Sequence, residues 1–486
     1  MEPSIEWTTK RRAGEFVPRK VTSLGRTTWI DQGLIAVTRV GHRIGARHWL
    51  GDVYLRWMSR RLLNFDPRLP ALPRAYDLTA VARLFEESWP GRATTRGAPV
   101  AIRSCRLQGA TYQPSARCVT TYVLLVERPG QAPWQTIGVI ETTPAGLAHR
   151  LFNDDPKVPA LVSAVDPTEM SGRFASLSER VNCTGAIDDC LIIPISYKPG
   201  LQCVFRYVLR SKLGQQVFVG KLLAADGNRL MATITALHRM SQVIPGMPRI
   251  PRPLAYWPEM GMLVQPAVGR GNLDTRAFDA AVESTVREQW MREAGVHLAA
   301  LQACTGIDVP QYTLDNELRE LREHAAPMAL VSPALTEKFE EAVAEIVALA
   351  RGQVEPTAVA THGAFRPEHL LIEDGGLVLI DMDGFCRANP ARDVGNFLAY
   401  LDWKEILRPQ FATFIARARN AFIEGYKETG TAIDEHWLAI YHATSLLKIA
   451  GRCFYGLTFW DWHMVPHLLD SAVTALHRQE RVKRHG

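Results

Sequence analysis

A segment that occurs twice constrains this chain more than any other feature, because a repeated unit has to fold the same way in both places. Asp66-Pro67-Arg68-Leu69-Pro70-Ala71-Leu72, followed by Ala75 and Asp77, returns as Asp155-Pro156-Lys157-Val158-Pro159-Ala160-Leu161, with Ala164 and Asp166, at an offset of 89. Further on, Tyr112, Pro114, Cys118, Val119, Tyr122, Val123 and Leu124 return as Tyr197, Pro199, Cys203, Val204, Tyr207, Val208 and Leu209, at an offset of 85. Each run then crosses a polar, glycine-containing turn into a second apolar run, Gln135 to Glu141 and Gln216 to Leu223, which is a hairpin pattern. The expectation is a duplicated unit of about 80 residues, a helix-like segment followed by a small antiparallel sheet, filling 65–226. Aligning Gly138 with Gly220 sets Val139 against Lys221, so only the second copy offers a cation on its last strand and the first reads as non-catalytic.

At 486 residues the chain exceeds one ordinary core, and its 47% hydrophobic and 22% charged fractions are those of a globular protein. No run of eighteen uncharged apolar residues occurs, and an N-terminus carrying Glu2, Glu6, Lys10, Arg11 and Arg12 lacks the apolar stretch of a signal peptide, so a cytoplasmic protein is expected. The eight cysteines are scattered without any Cys-x-x-Cys, which shows neither zinc spacing nor a disulfide framework. The net charge of +6 is concentrated at one end: residues 1–64 hold twelve Lys and Arg against five Asp and Glu. There Leu50, Val53, Tyr54, Trp57, Met58 and Leu62 recur at helical spacing opposite Arg43, Arg47, Arg56 and Arg60. This reads as a basic amphipathic helix packed on its own protein; a membrane-surface role rests on residues 43–63 alone, and nucleic-acid binding is not expected.

After Lys221 comes one helix (Leu230, Ile234 and Leu237 on one face), a Pro-rich turn, and two short strands ending near Val264. Helical periodicity dominates from Arg276 onward, interrupted by Thr361 to Phe385. Here stands T-H-G-A-F-R-P-E-H-L-L-I-E-D-G-G-L-V-L-I-D-M-D-G-F, then N-P-A-R-D-V-G-N. Two apolar strands flanking a turn at Gly375-Gly376 put His362 to His369 and Asp381 at one edge of a hairpin. A carboxylate at the end of a buried strand wants a metal or a donor, and a lysine on an apolar strand wants an anion.

From Ser196 to the C-terminus this pattern resembles the aminoglycoside and choline phosphotransferases, whose motif is H-G-D-x-x-x-x-N, a strand pair and I-D. The resemblance implies an α+β, two-lobed protein-kinase-like fold, here with a duplicated small β lobe and an N-terminal helical segment. It divides the chain into 1–64, a first small β unit at 65–150, a kinase-like small lobe with hinge at 151–268, and a helical large lobe at 269–486. It implies that Asp381 chelates nucleotide-bound Mg²⁺, that Lys221 reaches the phosphates, and that Lys198 and Gly200 lie in a phosphate-covering loop. The segment Val264 to Gly269 corresponds to the hinge, with Gln265, Ala267 and Val268 holding an adenine through backbone groups. His362 corresponds to the histidine that braces the catalytic loop, and Asp393 to the acid that anchors the following helix.

Two departures stand out: the family's catalytic Asp is Ala364 here, and its metal-binding Asn is His369. An imidazole suits Mn²⁺ better than Mg²⁺. No Asp or Glu occurs between Gly227 and Trp257, so the lysine-orienting glutamate is missing as well. Arg366 stands where the related protein-kinase loop has its phosphate-contacting lysine, and Asp383 or Glu368 is a candidate replacement for the lost base. The expected protein is an ATP- and Mg²⁺- or Mn²⁺-dependent phosphotransferase acting on a hydroxyl of a small polar molecule. The alternative is a pseudokinase that binds nucleotide or docks a partner protein.

Overall fold

The computed structural model describes residues 65–89, 100–177, 187–212 and 214–477. The basic amphipathic stretch expected at 43–63 lies outside them. The first unit begins with two helices, α1 (Leu72–Ala75) and α2 (Leu78–Glu87), the second capped by the Asp77 carboxylate, which accepts from the Ala80 N–H at 3.2 Å. A four-stranded antiparallel sheet follows in simple order: β1 (Ala101–Gln113), β2 (Arg117–Glu127), β3 (Trp134–Thr143) and β4 (Gly146–Leu151).

The second unit opens in the same manner with α3 (Leu161–Ala164) and α4 (Pro167–Ala175), the latter capped by Asp166. Its strands β5 (Asp189–Lys198), β6 (Gln202–Ser211) and β7 (Gly214–Leu223) continue through α5 (Asn228–Ser241) to β8 (Ala255–Trp257) and β9 (Met262–Pro266), in the order β5-β6-β7-β9-β8.

The same buried contacts recur in both units. Asp66 accepts from the Tyr112 hydroxyl and the Ser115 N–H, both at 2.7 Å, and Asp155 accepts from the Tyr197 hydroxyl and from the Gly200 N–H at 2.7 Å. The Tyr122 hydroxyl donates to the Ala75 carbonyl, as that of Tyr207 does to Ala164 at 3.0 Å. Strand register corrects the sequence alignment, however. Val119 of β2 faces Glu141, and its counterpart Val204 of β6 faces Lys221, so the residue matching Lys221 is Glu141 rather than Val139. The six residues between β2 and β3, against two between β6 and β7, absorb the difference. The first unit therefore carries a carboxylate, paired with Arg117 at 3.6 Å, where the second carries its cation.

The remaining chain is a helical lobe: α6 (Leu273–Ala277), α7 (Ser284–Gln302), α8 (Leu314–Val331) and α9 (Pro333–Ala350) precede the strands β10 (Val359–Thr361), β11 (Leu370–Glu373), β12 (Gly376–Leu379) and β13 (Cys386–Ala388), and α10 (Ala391–Leu407), α11 (Ala412–Glu428), α12 (Glu435–Tyr455) and α13 (Val465–Leu476) complete it. The tight turn of the β11/β12 hairpin is Asp374-Gly375, both left-handed at φ 50° and 81°, with Gly376 already in β12. The first unit touches both lobes. Ile137 and Val139 share a core with Phe152, Phe205, Tyr207 and Phe218 of the second unit, while Tyr76 meets Phe459 at 5.5 Å and Phe65 meets Trp462 at 6.2 Å. Among the described residues no helix is long and apolar enough to cross a membrane.

Candidate active site

Alternation along β7 decides where its lysine goes. A Cβ on Gly220 would stand 2.5 Å from the Tyr207 ring, so that position faces the core and its neighbour Lys221 faces the cleft beneath the sheet. From there Lys221 Nζ reaches Asp381 Oδ1 at 2.8 Å, across 160 positions of sequence, and Asp383 Oδ2 at 2.5 Å. Burial works to lower the lysine pKa, but the two carboxylates outweigh it and the pKa is raised. Asp381 feels burial too, which would favour its neutral acid, yet Lys221 holds its carboxyl well below the usual range and it stays ionised. Its backbone is left-handed at φ 67°, a conformation that costs a non-glycine residue roughly 1–3 kcal/mol and turns the chain into the 3₁₀ turn Met382–Gly384.

The loop from His362 to His369 is fixed from below by one fully buried carboxylate. Asp393 accepts from the N–H groups of His362 (2.6 Å), Gly363 (3.0 Å) and Phe365 (3.4 Å). Gly363 adopts φ 79°, and a Cβ there would lie 2.2 Å from the Gly384 carbonyl, which locks the loop against the Asp381 turn. His362 Nε2 adds a bond to the Ile380 carbonyl at 2.9 Å. The rest of this support comes from a stripe along α10: Asn396 donates to the Phe365 carbonyl at 2.9 Å, Tyr400 accepts from Arg366, and Lys404 lies 3.4 Å from Glu368. Positions 393, 396, 400 and 404 share one helix face, so the signal for Tyr400 and Lys404 was present in the sequence as polar residues at helical spacing.

A cavity of about 510 Å³ lies between the lobes, within the range of small-ligand sites. Val204, Val219, Leu263 and Leu379 give it apolar walls; Lys198, Lys221, Gln265, Ala267, Val268, Arg366, His369, Asp381 and Asp383 all border it. Two expected residues do not. The Gly200 N–H is committed to Asp155, as Ser115 is to Asp66, so its left-handed turn (φ 71°) holds the unit together. Glu368 is turned toward Lys404, which also binds the buried Asp274 at 2.8 Å. The hinge is partly self-satisfied: the Ala267 N–H donates to Val217 at 3.0 Å, and the Gln265 side chain to Pro251 at 2.9 Å.

His369 Nε2 lies 3.4 Å from Asp381 Oδ2 and accepts from Arg366 Nε at 3.0 Å, so the ring carries its proton on Nδ1. Burial, then the neighbouring Arg366 and His362, push its pKa down to about 3, leaving a neutral imidazole. Among the described residues no three His, Cys, Asp or Glu side chains form a metal cage. An ionised Asp381 flanked by Asp383 and a neutral imidazole nevertheless fits a divalent ion that draws its other ligands from phosphate and water.

Beyond Tyr400 lies a further charged layer. Glu320 of α8 sits 2.5 Å from Lys448 and 3.9 Å from Arg452, with the His324 ring tilted against Tyr455 at 5.6 Å. Burial, with Arg452 and Lys448 nearby, lowers the His324 pKa to about 4 although Glu320 opposes the shift. A histidine neutral in the fold but protonated in the unfolded chain contributes stability above about pH 6.5 that is lost as pH falls toward its folded value. Lowering pH from 7 to 5 is expected to cost about 2 kcal/mol through this group. Urea denaturation at both pH values should show His324→Gln losing that part of the acid sensitivity; an unchanged pH slope would refute it.

The sheet-roofed small lobe, the hinge and the helical lobe bearing the loop define a two-lobed, protein-kinase-like α+β fold. Residues 206–432 match the model of the APH family, described as the phosphotransferase enzyme family. Among solved structures, it is similar to spectinomycin phosphotransferase APH(9)-Ia in complex with ADP and spectinomycin, at 12% identity and a TM-score of 0.45 over 64% of this chain and 98% of that one. It is also similar to amicoumacin kinase hAmiN in complex with AMP-PNP and Ca²⁺ (12%, TM-score 0.44, 64% and 95% covered) and to macrolide 2'-phosphotransferase MphH from Brachybacterium faecium (16%, TM-score 0.38, 62% and 97% covered). No curated protein matches the chain.

Proposed function

We propose that the cleft binds ATP with Mg²⁺ or Mn²⁺ and that the protein transfers the γ-phosphate to a hydroxyl of a small polar molecule. The observation that carries this reading is the meeting of Lys221 with Asp381 and Asp383 at one end of an apolar cavity. The walls formed by Val204, Val219, Leu263 and Leu379 would hold the base, with the Val268 N–H at its edge. Lys221 would exchange both carboxylate partners for phosphate oxygens, releasing Asp381 and Asp383 toward the metal. A bound divalent ion supplies neutralisation of the phosphate charge. Asp383 shares the Lys221 end of the cavity, which suits metal ligation better than deprotonation of an acceptor, and Glu368 faces away. Phosphoryl transfer depends mainly on positioning and charge neutralisation, so it tolerates the loss of a base better than most reactions.

A second reading has its own support. Ala364 occupies the catalytic position, and Leu230 and Ile234 of α5 border the cavity on the helix where the family places a lysine-orienting carboxylate. A nucleotide-binding scaffold that docks a partner protein is consistent with both. Calorimetric titration of ATP with Mg²⁺ and with Mn²⁺, paired with phosphate release, separates the two. Lys221→Ala and Asp381→Ala should each weaken ATP at least about tenfold, or 1.4 kcal/mol. Binding without turnover favours the scaffold, and absence of binding by the unmodified protein eliminates both readings.

A further inference from the structure

Two arginines from distant parts of the helical lobe converge beside the catalytic loop, each held by an acid only at the long distance of 3.9 Å among the described residues. Arg366 donates through Nη1 to the Tyr400 hydroxyl and lies over that ring at 5.2 Å. Arg452 of α12 donates to the same oxygen at 3.4 Å. The nearest acids stand off at 3.9 Å in each case, Glu368 from Arg366 and Glu320 from Arg452. Both acids are engaged by other cations, Glu368 by Lys404 at 3.4 Å and Glu320 by Lys448 at 2.5 Å. The remaining partner of Arg366 is His369, whose Nε2 accepts from Arg366 Nε at 3.0 Å. Two guanidiniums thus share one phenol oxygen, an arrangement their mutual repulsion opposes until an anion enters.

Placement says what kind of anion. Arg366 borders the cavity between the lobes, whereas Arg452 does not border it and its side chain is 46% exposed. The pair therefore joins the cavity wall at Arg366, through the Tyr400 hydroxyl, to an exposed position that does not border the cavity. We propose that Arg366 and Arg452 form an oxyanion site that receives a phosphate or carboxylate group of the acceptor, so that the acceptor is an anionic hydroxyl compound and not a polyamine. Planar guanidinium forks match both oxyanions in geometry. A polycationic acceptor would meet like charge at this wall. The word acceptor rests on the phosphotransferase reading; the oxyanion site itself does not.

The test uses the full chain carrying Lys221→Ala, which removes the cation at the other end of the cleft as a competing phosphate site. Inorganic phosphate, and separately acetate, is titrated calorimetrically at fixed ionic strength against a chloride control. Saturable binding is expected, weakened at least tenfold when Arg452→Gln is added, a change tolerable at a half-exposed side chain. In the otherwise unmodified protein Arg452→Gln should leave ATP and ADP affinities unchanged. No saturable binding, or binding indifferent to Arg452→Gln, overturns the proposal. So does a selective loss of ATP but not ADP affinity in Arg452→Gln, which would assign the pair to the γ-phosphate. If ATP binds nowhere while phosphate binding still depends on Arg452, the nucleotide reading falls and the oxyanion site stands.

Discussion

Ala364→Asp is expected to raise ATP hydrolysis by the protein roughly 10²-fold or more, because it returns a general base to a loop that already has a catalytic shape. The neighbouring Gly363 and Phe365 N–H groups are tied to Asp393, and Gly363 is seated against Gly384, so the backbone at 364 needs no rearrangement to present a carboxylate. Ala364 is itself partly exposed, which leaves room for the added group. Basal hydrolysis is the right readout since water serves as acceptor and no substrate has to be known. The comparison is made at saturating ATP, with affinity measured alongside. A rate that stays level while ATP binds as before would mean that position 364 does not face the reacting phosphate, and the transfer reading would lose its geometry.

Asp393→Ala is expected to have the largest effect on stability. The carboxylate is fully buried and accepts three N–H groups, each of which would remain inside the protein without a partner. Hydrogen bonds to a charged acceptor contribute about 1.5–3 kcal/mol, and stranded buried donors carry their own desolvation cost. A loss of about 3–5 kcal/mol in chemical denaturation follows, allowing for partial relaxation of the loop. Asp393→Asn, which keeps the shape and one good acceptor, should lose distinctly less. A change below about 1 kcal/mol for the alanine variant would show that water or a shifted loop replaces these bonds.

Much of this arrangement could be anticipated from residue order, and the exceptions have physical causes. Asp66 and Tyr112, Asp155 and Tyr197, and Tyr122 and Tyr207, which carry the same letters in the two stretches, are all buried. The hairpin carrying Asp381 was equally readable from its apolar strands and glycines. The partner of Lys221 in the first unit was misplaced by two positions, since the turns between the last strands differ in length and alternation is blind to a shift of two. Gly200 and Glu368 show a different limit. Their residue types suit phosphate and proton chemistry, but only three-dimensional placement shows Asp155 and Lys404 claiming them. Arg452 carried no sequence signal at all, because its relation to Arg366 passes through Tyr400 on another helix, α10.

The first unit is lodged between the two lobes, touching Phe205 and Tyr207 of one and Phe459 and Trp462 of the other. A clamshell tied across its rim cannot gape freely. Any swing that widens the cavity between the lobes has to slide or detach that tie, whose aromatic contacts start from Phe65 and Tyr76, more than one hundred residues upstream of Lys221.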